Sequence, residues 1–379
     1  MKLLHVCPTL DPQAGGTVTA IRHLSEVSPT DQDILCLDAS DAPWLKESIS
    51  RCIGLGHKGG KYSYSPPLIP YLVSHAQQYD SVVVHGTWQY HGLGVWQALR
   101  KSSTPYFIFP HGMLDPWFRR TYPLKHLKKL VYWHAREKFI LRDAAGVLFT
   151  SKEEQYGAHA SFNFPLCREF VVSLGIKDPN PDGLKKIDRS EPRLLFLGRL
   201  DLKKGCDLLL QAFAGVMKGT PWKLVMGGPD SSGWKDSLQS LANRLNIASQ
   251  VEWPGMLQGE EKWEALRSAQ ALILPSHQEN FGLVVVESLA CGTPVLISQQ
   301  VNIWREVVEA DAGFAEPDSL SGTIKLLEKW LHLDLNQKLT MNHAARTCFQ
   351  RHFEIQKAFD SLRCLIQNQL DQEGIFSCK

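Results

Sequence analysis

The stretch ALILPSHQENFGLVVVESLACGTPVLIS, Ala271 to Ser298, decides how the chain must fold. ALILPS and PVLIS are short apolar runs of the kind found in strands buried on both faces. Between them, LVVVESLA is apolar apart from one acid and one serine, and Cys291-Gly292-Thr293-Pro294 marks a turn. The order is strand, loop, short helix, turn, strand. A helix that begins near Gly282 leaves the amides of Gly282, Leu283 and Val284 without intrahelical partners. With the positive end of the helix dipole, those amides make a seat for a phosphate. Glu279 precedes that seat, and Glu287 follows it eight positions later, inside the helix. Two acids are poor ligands for an anion, but they suit hydroxyl groups on either side of a phosphate, as in two sugars flanking a pyrophosphate. The competing reading makes Glu279 a helix cap and Glu287 a solvated helix residue.

The same alternation runs through the chain. KLLHVC, DILCL, ISRCIGL, SVVVHG, YFIFPHG, GVLFTS and FVVSLG read as strands in the first half. RLLFLG, WKLVMGG, VEWPG, ALILPS and PVLIS read as strands in the second. Strands alternating with amphipathic stretches predict an α/β fold of parallel sheets with helices on both faces. KDPNPDGLKKIDRSEP, residues 177–192, with three prolines, is the best candidate linker. Two doubly wound, Rossmann-like domains are expected, with a helical tail after about residue 335. In such sheets ligands bind beyond the carboxyl ends of the strands, so a cleft between two domains is the expected site.

At 379 residues, with 44% hydrophobic and 21% charged residues, the chain has the composition of a globular protein large enough for two domains. A formal charge of +2 predicts no nucleic-acid partner. Nine scattered cysteines without a C-x-x-C pair predict reduced thiols and no zinc site. The N-terminal MKLLHVCPTL is interrupted by Pro8 and Asp11 too early for a signal peptide. No run reaches the ~18 apolar residues of a membrane span. A cytoplasmic location is expected.

Further residues stand where these strands end. Gly15-Gly16 precede a helix after the first strand, a pattern that admits a ligand close to the backbone or is only a flexible turn. In LLFLGRLDLKKG, Gly198 and Arg199 end a strand and Lys204-Gly205 precede a helix, so two cations emerge where a pyrophosphate needs them. One motif misleads. Gly54-x-Gly56-x-x-Gly59 fits a dinucleotide fingerprint, but Pro66, Pro67 and Pro70 forbid the helix that the fingerprint needs.

GRLDLKKG, GGPD, VEWPG and above all the Glu-x7-Glu box ENFGLVVVE with ACGTPV resemble the retaining glycosyltransferases of family 4. That resemblance, over essentially the whole chain, implies a GT-B fold: two Rossmann-like domains facing across a cleft, with the C-terminal helix returning to the N-terminal domain. It implies an acceptor-side domain over 1–180 with a helix at about 355–379, and a nucleotide-sugar domain over 190–350. The implied donor contacts are Gly15, Gly16, Gly198, Arg199, Lys204, Met256, Glu279, Phe281, Gly282, Leu283 and Glu287. Arg199 and Lys204 would stabilise the departing diphosphate, Glu279 would hold the transferred sugar and Glu287 the ribose. His111, in FIFPHGMLDPW, matches the family's strand-end histidine beside the donor sugar; with Arg199, Lys204 and Glu279 it forms the expected catalytic group. PHGMLDPW further resembles enzymes of exopolysaccharide or lipopolysaccharide O-antigen assembly, which implies a glycan or lipid-linked oligosaccharide acceptor near His85, Trp88 and Trp117. Ser173-Leu174-Gly175 departs from the family's Asn-Gly pair at that point. No Asp-x-Asp pair lies in a metal-binding context, so neither metal nor cofactor is expected. A nucleotide-sugar epimerase or hydrolase, or a non-catalytic glycan-binding protein, would share many of these features.

Residues 122–142 predict a helix with Leu124, Leu127, Leu130 and Val131 on one face and Lys125, Lys129, Tyr132 and Arg136 opposite. A basic, aromatic outer face over 119–142 suits peripheral contact with anionic lipid on the inner side of the cytoplasmic membrane, or is simply solvated.

Overall fold

The computed structural model describes residues 1–121, 123–183, 191–230 and 233–372. The chain forms two compact units, Met1–Gly175 joined by the C-terminal segment from Ile355, and Ile176–Glu354.

The first unit is built on seven parallel strands: β1 (Leu3–Cys7), β2 (Gln32–Cys36), β3 (Arg51–Gly54), β4 (Ser81–His85), β5 (Tyr106–Phe109), β6 (Gly146–Phe149) and β7 (Glu169–Val171). Their order is β3-β2-β1-β4-β5-β6-β7. β1, β2, β4, β5 and β6 are buried along their whole length, which is why they read as largely apolar runs, with His5 in β1 and Gln32 and Asp33 in β2 as buried polar residues. The helix Ile355–Gln372 carries Phe359, Leu362, Ile366 and Leu370 at helical spacing and buries them against Leu3, Val83, Phe107 and Phe109. Burying each such side chain is worth roughly 1.5–3 kcal/mol, enough to fix the helix on this sheet.

The second unit has six parallel strands: β8 (Arg193–Leu197), β9 (Lys223–Gly227), β10 (Val251–Gly255), β11 (Ala271–Leu274), β12 (Val295–Ser298) and β13 (Gly313–Glu316). Their order is β10-β9-β8-β11-β12-β13. β13 escaped the sequence reading because GFAE is a half-buried edge strand with one large apolar residue. The expected linker is packed at its start: Arg346 donates to the Asp178 carboxylate at 2.8 Å and to the Asn180 carbonyl at 3.1 Å. Residues 184–190 of that stretch lie outside the described residues.

The helix after residue 122 meets the expectation only in part: Leu130 packs on the core and Lys125 and Arg136 are exposed, but the other positions are exchanged. Leu124, Leu127 and Val131 are exposed, whereas Lys129 is half-buried over the Trp88 ring and Tyr132 bonds the Tyr62 hydroxyl at 2.9 Å. The inward aromatic cluster takes Lys129 and Tyr132 because the lysine stem and the phenol ring are apolar bodies with polar tips. Among the described residues, no helix is long and apolar enough to cross a membrane.

Candidate active site

In both sheets the chain reverses its direction of growth between two neighbouring strands, β1 and β4 in the first unit and β8 and β11 in the second. Such switch points leave a crevice outside the carboxyl ends of the strands. Gly15, Gly16, Gly198, Arg199, Lys204, Glu279 and Gly282 stand on the loops and helix starts that follow these strands.

In the second unit, the loop after β8 carries Gly198, Arg199 and Lys204, and the loop after β11 carries Glu279 and Gly282. Gly205 has φ 65°, and a Cβ there would lie 2.3 Å from the Pro275 carbonyl oxygen, so only glycine lets the two loops touch. His277 N–H donates to the Lys203 carbonyl at 2.8 Å and ties them again. Lys204 Nζ is ion-paired with Glu279 Oε2. Burial by itself would raise the Glu279 carboxyl, but Lys204, helped by Lys203 and Arg199, holds it below the usual range. Arg199 is mostly exposed, its Nε 3.9 Å from Asp201. It is free to swing onto a ligand.

Neither competing reading of the two acids survives. The helix is Leu283–Ala290, its N-cap is Gly282 at φ 73°, and no side chain caps it. Its first inward bonds run from Val285 and Val286 to the Gly282 carbonyl, so the amides before them face out of the helix end. Glu279 instead bridges β-fashion to Val301, with its N–H on the Gln300 carbonyl at 2.9 Å. Glu287 is buried, and its Oε1 accepts from Lys262 Nζ at 2.7 Å. Burial pushes its carboxyl up, and Lys262 offsets part of that. Lys262 was missed because it lies on a separate helix, Gly259–Ser268, in a plain charged run. Phe281 is a core residue, edge-on to Phe353 at 5.7 Å, so its ring contacts no ligand and only its backbone is available. Met256 is exposed just after β10.

In the first unit Gly15, at φ 89°, turns the chain into the helix Gly16–Glu26, which has no side-chain cap. His111, at φ 52°, follows β5. Its Nε2 lies 2.9 Å from His85 Nδ1, and His85 Nε2 lies 2.9 Å from His5 Nδ1. His5 Nε2 in turn meets Gln32 Oε1 at 2.8 Å. Burial depresses all three imidazoles, His5 to about 4, His111 to about 3 and His85 well below its usual value. They are neutral at pH 7. His85 is only 1% exposed, so it supports His111 and is out of reach of an acceptor, contrary to expectation. Trp88 is also committed: its indole donates to the Met113 carbonyl at 3.0 Å and Lys129 covers its ring at 4.7 Å. It does not offer a face for stacking. Trp117 is half-buried in the turn after Asp115, whose carboxylate accepts its N–H at 2.7 Å.

A different part of the same edge is hollow. A cavity of about 500 Å³ is lined by Thr9, Asp11, Trp44, His57, Ser63 and Gln89 among others. The false dinucleotide motif contributes His57 to its lining. Its glycines are followed by no helix until Leu68, and the loop is pinned by Gly56 N–H to the Asp38 carbonyl at 2.7 Å and Lys58 N–H to the Tyr64 carbonyl at 2.8 Å.

The fold and these loops define a protein with two doubly wound units, each with a polar site at its switch point. Residues 31–175 match the family described as glycosyl transferase 4-like domain, and residues 183–347 match glycosyl transferases group 1. The chain belongs to the group 1 glycosyltransferases and has their GT-B fold. It is 29% identical over 214 residues to an uncharacterized glycosyltransferase of Methanocaldococcus jannaschii, aligned over 52% of this chain and 54% of that protein. It is 36% identical over 135 residues to a D-inositol 3-phosphate glycosyltransferase of Frankia alni, covering 34% of this chain and 33% of that one. The matched stretches thus span about half of the first relative's length and a third of the second's. The crystal structure of Anabaena HepE in complex with UDP and glucose superposes with a TM-score of 0.76 over 97% of this chain and 100% of that chain, at 16% identity. At that identity the likeness speaks for the fold.

Proposed function

We propose that this protein is a retaining hexosyltransferase that moves a sugar from a nucleotide-diphosphate sugar to a hydroxyl of a glycan acceptor, lipid-linked, in cell-surface polysaccharide assembly. The observation that carries this is the convergence of Arg199, Lys204, Glu279 and the open helix end at Gly282 on one switch point. Arg199 and Lys204 take the diphosphate, whose two charges outcompete one carboxylate for Lys204. Glu279, released from Lys204, then accepts hydroxyls of the transferred sugar. Glu287 keeps one oxygen on Lys262 and offers the other to the ribose. His111 accepts a hydroxyl of the sugar. Reaction on one face of the sugar lets the leaving diphosphate take the acceptor's proton as the new glycosidic bond forms, so stabilisation of charge is the protein's main contribution. No cofactor or metal takes part in this scheme: two cationic side chains fill the metal's place.

The acceptor's sugar fits the cavity at Thr9, Asp11, Trp44 and Gln89, whose hydroxyl, carboxylate, amide and aromatic groups suit a polyol and include no cation for a phosphate. The exposed Leu124, Leu127 and Val131 beside exposed Lys125 and Lys128 fit an anionic membrane surface on the cytoplasmic side, with shallow apolar insertion added to charge.

Incubation with a panel of UDP-, GDP- and ADP-sugars, with and without lipid-linked oligosaccharide, tests the reading. Transfer with retained anomeric configuration is expected, and it should persist in excess chelator. Turnover of donor that ignores acceptor would instead indicate an epimerase or hydrolase. No turnover and no nucleotide binding would leave a glycan-binding protein.

A further inference from the structure

The four groups Gln32, His5, His85 and His111 form one continuous hydrogen-bonded line across a face of the first sheet. Gln32 opens β2 at the amino edge, His5 sits in the middle of β1, His85 ends β4 and His111 lies beyond β5. A line of neutral imidazoles has two possible directions, and heavy-atom distances do not choose between them. The far end does. Gln32 Nε2 faces two carbonyl oxygens, Leu24 at 3.0 Å and Ser25 at 3.2 Å, so that end of the amide must be the NH₂. Turning the amide over would set its oxygen against both carbonyls in a buried place, leaving acceptors without donors at about 1–3 kcal/mol for each.

Gln32 Oε1 is therefore an acceptor, and His5 Nε2 carries the proton it accepts. A neutral imidazole has one N–H, so His5 Nδ1 is bare and accepts from His85 Nε2. His85 Nδ1 is bare in its turn and accepts from His111 Nε2. His111 is left with an unprotonated Nδ1; among the described residues its side-chain hydrogen bond is the one from Nε2 to His85. We propose that Gln32, His5 and His85 are positioning residues that lock His111 in its Nε2–H tautomer, so that Nδ1 is a permanent acceptor for a ligand hydroxyl. The effect on turnover rests on the reading of His111 as a sugar contact; the tautomer itself does not.

The device has a physical reason. In water the Nε2–H form is favoured but the Nδ1–H form is also populated, so an unsupported His111 would present a donor part of the time. Its left-handed backbone and its near-coplanar, end-to-end hydrogen bond with His85 at 2.9 Å hold the ring in place, and the line fixes what the ring offers.

Long-range ¹H–¹⁵N correlation on full-length protein with ¹⁵N-labelled histidine tests this, because protonated and bare ring nitrogens resonate far apart. At pH 7 His5, His85 and His111 should each show one Nε2–H tautomer. An Nδ1–H form of His111, or a mixture, in the wild-type protein overturns the proposal, and this needs no variant to fold. Gln32→Leu, two histidines away from His111, should convert His111 to a mixture while the melting transition stays cooperative. The same variant should lower kcat/KM roughly tenfold, the scale of one hydrogen bond, with UDP affinity unchanged. A single unaltered His111 tautomer in Gln32→Leu also overturns it. If wild type shows the locked tautomer but no sugar nucleotide is turned over, the relay stands and the transferase reading falls.

Discussion

The two switch points solve different problems with different chemistry. At the β8–β11 edge nearly every functional side chain is charged: Arg199, Lys204 and Glu279 at the loops, Lys262 and Glu287 beside them. At the β1–β4 edge His85 and His111 end a line of neutral imidazoles that runs back through His5 to the Gln32 amide, with the Asp11 and Asp38 carboxylates on neighbouring loops. Ion pairs are suited to a ligand that brings its own charge, since a carboxylate can hand its cation to a diphosphate and keep the local charge balanced. Neutral relays are suited to hydroxyls, which need one acceptor in a fixed direction and gain nothing from net charge. Under the proposed function the diphosphate falls to the cations of the second unit, and His111 of the first offers one fixed acceptor to a sugar hydroxyl.

The largest effect that sharpens this contrast belongs to the cations. Lys204→Ala and Arg199→Ala should each lower turnover at least ~10²-fold, the scale of one transition-state electrostatic contact. Near-normal rates in either purified variant would remove the diphosphate clamp.

A smaller effect should mark the first unit. Asp11→Asn is expected to raise the acceptor KM by roughly tenfold, the loss of a hydrogen bond to a charged group, with the donor KM unchanged. A change in donor KM alone would move the cavity's role away from the acceptor.

Acid should expose the histidines. His5 and His111 titrate near 4 and 3 in the fold against a usual 6.5. Between those values the unfolded chain binds protons that the folded chain does not, so stability is full above pH ~6.5 and falls as pH is lowered. The drop in melting temperature from about pH 7 to pH 5 should be steeper in wild type than in His5→Phe. Parallel curves would mean the line carries protons already.

The weakest effect concerns the helix after residue 122. Flotation with anionic liposomes should be reduced by Lys125→Glu with Lys128→Glu, each basic residue contributing about 1 kcal/mol. It should also fall with Leu124→Ser and Leu127→Ser, which remove apolar insertion. Flotation unaffected by both pairs would leave this face merely solvated.

The alternation of apolar runs was enough to read twelve of the strands: the central ones because a parallel strand covered on both faces is apolar along most of its length, and the partly exposed β3, β7 and β10 by their place in the alternation. The glycines of the loops after β8 and β11, the two cations and the Glu-x7-Glu spacing were equally legible, since these features are local: a backbone that must turn or approach closely, and charge placed at a strand end. The facing of the helix after residue 122 was not legible. Two apolar faces competed for the core there, one of leucines and one of aromatics and lysine stems, and only the shape of the cavity left by Trp88, Trp133 and Phe162 chose between them.

His85 and Trp88 show the same limit at the site. Sequence places both at a strand end, where ligands bind, but not whether their polar atoms are already taken by neighbours. Lys262 beside Glu287, and Gln32 and His5 behind His111, come from distant parts of the chain; Lys262 sits in a plain charged run, and only His5 shows as a polar residue inside an apolar one. Periodicity and spacing fix what lies along one element, because they report local geometry. Which side chains meet across elements, and hence which proton sits on which nitrogen, was decided by packing alone.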